Sequence, residues 1–312
     1  MEAHLAFSAQ GGLRTPTLSA EGLAEELHLD ALYLKAECLQ VTGSFKFRGA
    51  FTKVHRMAPS LSGRGVVTYS SGNHGQAVAA AAKRHGLAAL VVMPEDAVAE
   101  KVAGALAFGA EVRFSGRTSL ARQAEAEAIA HERDWPLVPP FDDPWVIAGQ
   151  ATIGLEIVED APDTDGVLVP IGGGGMASGI ALALSRLRPG WPVFGVEPEG
   201  ADDARRSLAA GSLVSLEHPD TICDGLRTSR LGQLPFSILK THLSRVVTVT
   251  DDQAGRAVLR LFRDQHLVVE PSGAVGLASL IAGLGGQLRR PTVVLSGGNI
   301  SASYLQGLLS HS

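Results

Sequence analysis

Short apolar, β-branched segments alternate along the chain with longer segments of helical periodicity. The strand candidates are ALYLKAE (31–37), VVTYS, ALVVMP, AEVRF, GVLVPI, PVFGVE, RVVTVT and PTVVLS. Alanine-rich helix candidates separate the early strands and reach Gly86 and Gly109, where left-handed caps are expected. Further helices are predicted from Met176, after Asp251 and after Ser272. This alternation predicts an α/β fold with two open twisted sheets of mostly parallel strands and helices on both faces.

The middle of the chain reads as a separate unit. Residues 60–142 contain three strand-helix units and end in the proline-rich stretch WPLVPPFDDP. We therefore predict a large domain from residues 1–59 and 143–312 and a small inserted domain from residues 60–142. A ligand is expected in the cleft between them, at the carboxyl ends of the strands.

Composition narrows the class of partner. The 312 residues are 45% hydrophobic, carry a formal net charge of -5 and contain no run of Lys or Arg, so neither a nucleic acid nor an anionic membrane is an expected partner. Cys38 and Cys223 are the only cysteines and lie far apart, which fits two unpaired thiols in a reducing compartment. No signal peptide or membrane span is predicted, and a cytoplasmic location is expected.

The stretch TGSFKFRGA (42–50) sets Lys46 between Phe45 and Phe47, directly after a Gly-Ser turn. Loss of hydration disfavours the charged form of a lysine, so its amine becomes a better nucleophile, as in lysines that form Schiff bases. The alternative is a lysine that extends its ammonium group to water beside two core aromatic residues.

Three glycine-containing turns follow predicted strands. SSGNHG (70–75) opens a helix and suits a carboxylate, although helix capping alone would use similar residues. GGGGM (172–176) leaves bare backbone amides of the kind that bind a phosphate. SGGN (296–299) offers a hydroxyl that can hydrogen-bond a heterocycle nitrogen, or is a plain turn.

The second glycine turn also fits a competing hypothesis. Gly172, Gly174 and Ala177 satisfy G-x-G-x-x-A, and Glu197 ends the next strand, which together allow a nicotinamide-dependent dehydrogenase. That hypothesis leaves Lys46 and the SSGNHG turn without a task. The stretch EPEGADD, which contains Glu197, looks more like oxygen ligands for a hard cation, or like surface acids at a helix start.

Taken together, these segments resemble the pyridoxal-phosphate enzymes of fold type II, and among them the threonine/serine dehydratase and serine racemase family. The matching blocks are TGSFKFRGA, SSGNHGQA, FDDPWVIAGQATIGLEI, GGGGMASGIA, VVEPSGAVGLAS and SGGN, in the family's order and spanning nearly the whole chain. Related cysteine and threonine synthases tend to have threonine at the position of His74 and aspartate at that of Phe47. Both differences favour the dehydratase and racemase branch.

The resemblance implies a role for each motif residue. Lys46 resembles the lysine that binds pyridoxal 5'-phosphate and moves the substrate Cα proton, and Ser71 resembles the acid/base hydroxyl on the opposite face. Asn73 would bond the cofactor's phenolic oxygen. The implied phosphate and ring-nitrogen residues are Gly172, Gly173, Gly174, Gly175, Met176 and Ser296. Those around the substrate carboxylate are Ser70, Ser71, Asn73 and His74. A divalent cation (Mg²⁺, Mn²⁺ or Ca²⁺) would be held by Glu197, the carbonyl of Ala201 and Asp203.

The implied activity is β-elimination from L-threonine or L-serine, which gives a 2-oxo acid and ammonia. The alternative is racemisation of serine or a related amino acid at the same site, and Ser71 alone does not decide between them. The chain ends soon after SGGN, so an appended regulatory domain is not expected, and a homodimer is what the resemblance suggests. A protein that binds without turnover would be expected to lack Lys46 or the hydroxyl of Ser71.

Overall fold

Two separate sheets form the framework of the protein. The computed structural model describes residues 7, 11–70, 72–116 and 119–310. One sheet has six strands in the order β1-β2-β9-β6-β7-β8, and the other has three in the order β3-β4-β5. The strands are β1 (Thr17–Ser19), β2 (Tyr33–Lys35), β3 (Val66–Tyr69), β4 (Ala89–Met93), β5 (Glu111–Phe114), β6 (Gly166–Pro170), β7 (Val193–Pro198), β8 (Arg245–Val249) and β9 (Pro291–Val294).

The predicted strands are all present, and their pairing is parallel except at one edge, where β1 runs antiparallel to β2. The central strands β4 and β6 are buried along their whole length, as expected for parallel strands covered on both faces. The strand β1 was not predicted from the sequence. The α/β fold with two mostly parallel sheets is therefore confirmed.

Helices connect the strands and cover both sheets. They are α1 (Glu21–Glu26), α2 (Lys46–Leu61), α3 (Asn73–Arg84), α4 (Ala99–Ala107), α5 (Ser119–Arg133), α6 (Pro144–Asp160), α7 (Gly175–Leu187), α8 (Asp203–Ala210), α9 (Gln233–His242), α10 (Asp251–Gln265), α11 (Pro271–Ile281) and α12 (Ala302–Ser310). Gly86 and Gly109 follow α3 and α4 with φ of +64° and +83°, which confirms the predicted left-handed caps. Within the described ranges, no helix is long and apolar enough to span a bilayer.

The three-stranded sheet lies within residues 60–142, and the six-stranded sheet is built from chain on both sides of that segment. The exact boundaries at 59/60 and 142/143 remain a prediction. At the second boundary Asp143 caps α6 by accepting from the backbone nitrogens of Trp145 (2.8 Å) and Val146 (3.1 Å). Its neighbour Asp142 accepts from the first backbone nitrogens of α9. Two adjacent carboxylates thus tie the end of the inserted segment to the large sheet's helices.

Candidate active site

A cavity of about 410 Å³ opens where strands of both sheets end. β3 ends just before Ser70, β6 just before the glycine turn and β9 just before Ser296, so three carboxyl ends converge there. The cavity brings together these predicted site residues: Lys46, Ser70, Asn73, His74, Gly172, Gly173, Gly174, Gly175, Met176 and Ser296. Ser71 lies outside the described residues. Glu197, Ala201 and Asp203 do not line this cavity.

Lys46 is the first residue of α2, and its side chain lines the cavity while the next residue, Phe47, packs in the core against Phe7 and Phe51. Its Nζ donates a hydrogen bond to the carbonyl oxygen of Pro140 at 2.9 Å. Loss of hydration lowers the pKa of the amine to about 8, against the raising effect of the Glu270 charge. The amine therefore lies in the cavity and loses its proton more readily than a lysine whose ammonium group extends into solvent.

Backbone hydrogen bonds hold the Lys46 segment against the SGGN turn. The nitrogen of Phe45 donates to the carbonyl of Ser296 at 3.0 Å, and the nitrogen of Gly298 donates to the carbonyl of Gly43 at 2.8 Å. The residues between 42 and 46 and between 296 and 299 are thereby fixed side by side. The hydroxyl of the buried Ser296 consequently shares the cavity with Lys46.

Two positions of the glycine turn, Gly173 and Gly174, leave no room for a side chain. A Cβ at Gly173 would overlap the ring of Phe141, and one at Gly174 would lie 2.8 Å from side-chain atoms of Leu231 and Pro235. Gly174 also has φ of +88°, and the 13-residue helix α7 starts at the next residue. Bare amides at a helix N-terminus suit a phosphate group. A cofactor that carries a phosphate and reacts with an amine would fit both the glycine turn and the nearby amine of Lys46.

Within the SSGNHG stretch α3 begins at Asn73, and hydrogen bonds hold Gly72 and His74 on either side of it. The nitrogen of Gly72 donates to Ser70 Oγ at 3.0 Å, and His74 Nε2 lies 3.0 Å from the carbonyl oxygen of Val138. Because a carbonyl only accepts, Nε2 of His74 carries the proton. Burial and the nearby Lys46 lower the pKa of His74 to about 3, so the ring is neutral and its Nδ1 is an acceptor.

Glu270, which lines the cavity, and Asn299, which bonds the cavity residue Asn73, were not identified from the sequence. Glu270 is buried, its Oε1 accepts from Asn73 Nδ2 at 2.6 Å, and Asn299 Nδ2 donates to Asn73 Oδ1 at 2.8 Å. Burial and the charge of Asp224 raise the pKa of Glu270 to about 7. Only the blocks VVEPSGAVGLAS and SGGN signalled these residues, as parts of the family pattern.

Two arginines from different parts of the chain line the cavity. Arg122 of α5 is buried, and Arg227 follows the 3₁₀ turn Asp224–Leu226 of the opposite wall. Desolvation lowers the pKa of Arg122, the charge of Asp96 raises it, and that of Arg227 lowers it. Two like charges in one cleft favour an anion between them. Thr228 and Ser229 also line the cavity, as does Asp142, whereas Asp143 does not.

The candidate cation residues lie near the end of β7. Glu197 is fully buried and accepts from the backbone nitrogens of Ala204 (3.0 Å) and Arg205 (2.9 Å). Both carboxylate oxygens of the buried Asp203 lack a hydrogen-bond partner among the described residues. Desolvation raises the pKa of Asp203 to about 7. In the part of the chain that the structure describes, however, no group of three or more His, Cys, Asp or Glu side chains has the arrangement of a metal site.

Comparison with known proteins agrees with the geometry. The family model "Pyridoxal-phosphate dependent enzyme" matches residues 9–297. The L-threo-3-hydroxyaspartate ammonia-lyase of Saccharomyces cerevisiae is 38% identical over 298 residues, covering 95% of this chain and 91% of that protein. Maize serine racemase superposes with a TM-score of 0.94 at 34% identity, over 99% of this chain and 95% of that one. The threonine deaminase of T.th. gives a TM-score of 0.89 at 44% identity, over 96% of this chain and 98% of that one.

The chain belongs to the family of pyridoxal-phosphate dependent enzymes. Its relatives are ammonia-lyases and racemases, and it is an enzyme of this kind. This family assignment goes against the hypothesis of a nicotinamide-dependent dehydrogenase, and the role of the glycine turn at the cofactor phosphate stays a prediction. Cys38 and Cys223 are both free and buried, as expected.

Proposed function

We propose that the protein catalyses β-elimination from L-threonine or L-serine, releasing a 2-oxo acid and ammonia. The main support for this proposal is that Lys46, whose amine has a lowered pKa, lines the same cavity as the glycine turn. Pyridoxal phosphate supplies the aldehyde that takes up the substrate amine and the conjugated ring that accepts electrons from Cα. Lys46 would hold the cofactor, with the backbone of residues 172–176 at its phosphate, Asn73 at its phenolic oxygen and Ser296 at its ring nitrogen.

Individual residues of the protein have separate roles in the proposed reaction. Near neutral pH the amine of Lys46 is more readily deprotonated than an ordinary lysine, so it can take the Cα proton. The Ser70 hydroxyl and the backbone at the start of α3 would bind the substrate carboxylate, with Ser71 and Asn73 beside it. His74, which is neutral with Nδ1 as an acceptor, would help to orient this turn and would not donate to the carboxylate. A serine hydroxyl at the ring nitrogen does not keep it protonated, which favours elimination over a long-lived carbanion.

Borohydride reduction tests the site of cofactor attachment. The purified protein is expected to be yellow, and reduction should fix the cofactor to Lys46 in a peptide map. Attachment at another residue, or no visible chromophore after addition of pyridoxal phosphate, would refute the proposal. The exposed Lys83 at the end of α3 serves as the internal comparison, because it should stay unmodified.

Racemisation is the second candidate activity, and relatives described as serine racemases favour it. A panel of amino acids scored for both 2-oxo acid release and enantiomer exchange separates the two reactions. Replacing Ser71 with Ala should abolish exchange and leave part of the elimination from the L-enantiomer. Equal loss of both activities would mean that Ser71 serves mainly in substrate binding.

A β-hydroxy dicarboxylic acid is a second substrate class that the cavity supports. Arg122 and Arg227 could bind a side-chain carboxylate, and the 38% identical yeast relative is described as acting on L-threo-3-hydroxyaspartate. With this substrate, Arg122→Gln should lower kcat/KM at least about 10-fold, and with L-serine much less. Arg133→Gln, on the exposed end of the same helix, is the control. Equal losses for both substrates would exclude side-chain recognition by Arg122.

We propose a divalent cation, Mg²⁺, Mn²⁺ or Ca²⁺, at Glu197, Asp203 and the carbonyl of Ala201. The unpartnered oxygens of Asp203 support this, since hard cations take carboxylate and carbonyl oxygens. Each ion should raise the thermal midpoint after chelation, and Asp203→Asn should remove the response. An unchanged midpoint with all three ions would leave Glu197 and Asp203 as acids without a cation. A homodimer, which the resemblance suggests, is tested by sedimentation, and the expected cytoplasmic location is tested by cell fractionation.

A further inference from the structure

Three polar side chains form a continuous series of hydrogen bonds, and two of them, Asn73 and Glu270, line the cavity. Asn299 Nδ2 donates both to the carbonyl oxygen of Thr42 (2.9 Å) and to Asn73 Oδ1 (2.8 Å). Asn73 Nδ2 in turn donates to Glu270 Oε1 at 2.6 Å. The four residues come from four segments of the chain, so the arrangement exists only in the folded protein.

The donor-to-acceptor direction of this series of hydrogen bonds is fixed by the bond from Asn299 to Thr42. A backbone carbonyl only accepts hydrogen bonds, so Asn299 must present its nitrogen to Thr42. That nitrogen carries two hydrogens, and the second meets the amide of Asn73, which must therefore present its oxygen to Asn299. The nitrogen of Asn73 is then directed to Glu270. Exchanging the oxygen and nitrogen of either amide would place two acceptors or two donors face to face.

Glu270 is the buried acceptor at the end of this series of hydrogen bonds. It is 3% exposed, and its second oxygen, Oε2, has no hydrogen-bond partner among the described residues. A Cβ at position 297 would overlap Glu270 Oε1, so Gly297 leaves the space in which this carboxylate sits. Glu270 and Asn73 both line the cavity next to Lys46. The chain of bonds thus ends beside the amine that attaches the cofactor.

We propose that Asn299 and Glu270 are positioning residues that hold the Asn73 amide with its nitrogen available to the phenolic oxygen of the cofactor. The inference rests on the proposed function, which assigns Asn73 to that oxygen. Glu270 takes one hydrogen of the Asn73 nitrogen, and the other is offered to the cofactor. A donor in this position stabilises the ionised phenolic oxygen, whereas a reversed amide would set an acceptor against it.

The proposal is tested by substitutions that either reverse or keep the donor-to-acceptor direction of these hydrogen bonds. In Asn299→Asp, carboxylate oxygens replace the donor, so Asn73 should turn its nitrogen toward position 299. Absorbance of the bound cofactor is titrated against pH, and its midpoint should move upward by about 1 pH unit or more. Glu270→Met should do the same. Glu270→Gln keeps an acceptor for Asn73 and should lie closer to the wild type, although both variants lose the same charge.

A crystal structure of cofactor-free Asn299→Asp adds a readout that does not depend on catalysis. The Asn73 nitrogen should lie within hydrogen-bond distance of the introduced carboxylate and no longer of Glu270. Thr164→Val is the control, because it removes a buried hydrogen bond to Thr292 (2.7 Å) away from the cavity, and its titration should match the wild type.

Different results would overturn the positioning role and the proposed function on which it rests. If the wild type binds the cofactor at Lys46 but Asn299→Asp and Glu270→Met titrate as the wild type does, the positioning role is overturned and the proposed function stands. If the wild type forms no chromophore, the proposed function itself fails. Should Asn299→Asp not fold, the difference between Glu270→Gln and Glu270→Met decides: equal midpoints would overturn the role of Glu270 as acceptor.

Discussion

The ammonium group of Lys101 in α4 forms an ion pair with the carboxylate of Asp224 on the opposite wall of the cavity. Lys101 belongs to the inserted segment and its stem packs over the site of Gly72, while Asp224 begins a 3₁₀ turn of the larger unit. The pair thus joins the two walls of the cavity. It was not foreseen from the sequence, because the partners are 123 positions apart.

Loss of this ion pair should weaken substrate binding. Lys101→Met and Asp224→Asn should each raise KM about 5-fold or more, because the two walls lose an attraction in a partly desolvated place. The double variant should be no worse than the poorer single variant, since both remove one interaction. Arg133→Met, which breaks an exposed pair with Glu111, is the control. Additive effects on KM would show that the two residues act independently.

Adding one methyl group to the glycine turn should impair cofactor binding. Gly173→Ala would place a Cβ on the ring of Phe141, which lies next to the carbonyl of Pro140 that holds Lys46. We expect at least a 10-fold rise in the cofactor Kd and a loss of stability of about 1–3 kcal/mol from overpacking. Gly190→Ala, where nothing lies within 4 Å of the added Cβ, should leave both quantities unchanged. Fluorescence titration and urea unfolding measure them, and a wild-type Kd for Gly173→Ala would contradict the fit.

The lowered pKa of Lys46 predicts a particular pH dependence of stability in the cofactor-free protein. Its pKa falls from 10.5 to about 8 on folding, so between these values the unfolded chain binds a proton that the folded protein has released. Stability due to this residue therefore rises with pH across that window. Lys46→Met should stabilise the protein at pH 7, and its advantage should shrink above pH 8. Lys83→Met controls for the loss of a lysine, and a constant advantage of Lys46→Met up to pH 10 would contradict the assignment.

A buried ion network holds the start of α2 and should be costly to break. Arg48 is fully buried and bonds Glu37 Oε2 at 2.8 Å and Glu156 Oε1 at 2.6 Å, both of them also fully buried. Arg48→Met removes one of the two buried cations of this network and leaves Glu37 without its charged partner, while Lys35 still pairs with Glu156 at 2.7 Å; we expect a cost of about 3–5 kcal/mol. Arg14→Met breaks exposed pairs with Glu159 and Asp160 and should cost at most about 1 kcal/mol. Urea unfolding compares the two, and similar losses would mean that burial of the Arg48 network contributes nothing.

Local sequence predicted most of the framework. The eight predicted strands appear because short β-branched runs bounded by turn residues have few other ways to bury their side chains. The edge strand β1 escaped notice because its three residues, Thr17–Ser19, are too few to show alternation. Only pairing with β2 defines it. The glycine turn and Lys46 could also be identified from local sequence. Four consecutive glycines, and a lysine between two phenylalanines, are each unusual short patterns.

The sequence by itself therefore determined the α/β class and the family, and it predicted the residues that attach and cradle the cofactor, because each is encoded in a contiguous motif. Tertiary structure decided which groups surround them. Glu270 and Asn299 meet Asn73 across separations of 197 and 226 residues, and no local pattern marks a carboxylate or an amide for such a meeting. The neutrality of His74 and the lowered pKa of Lys46 likewise come from burial and neighbouring charges, which exist only after the two walls of the cavity have come together.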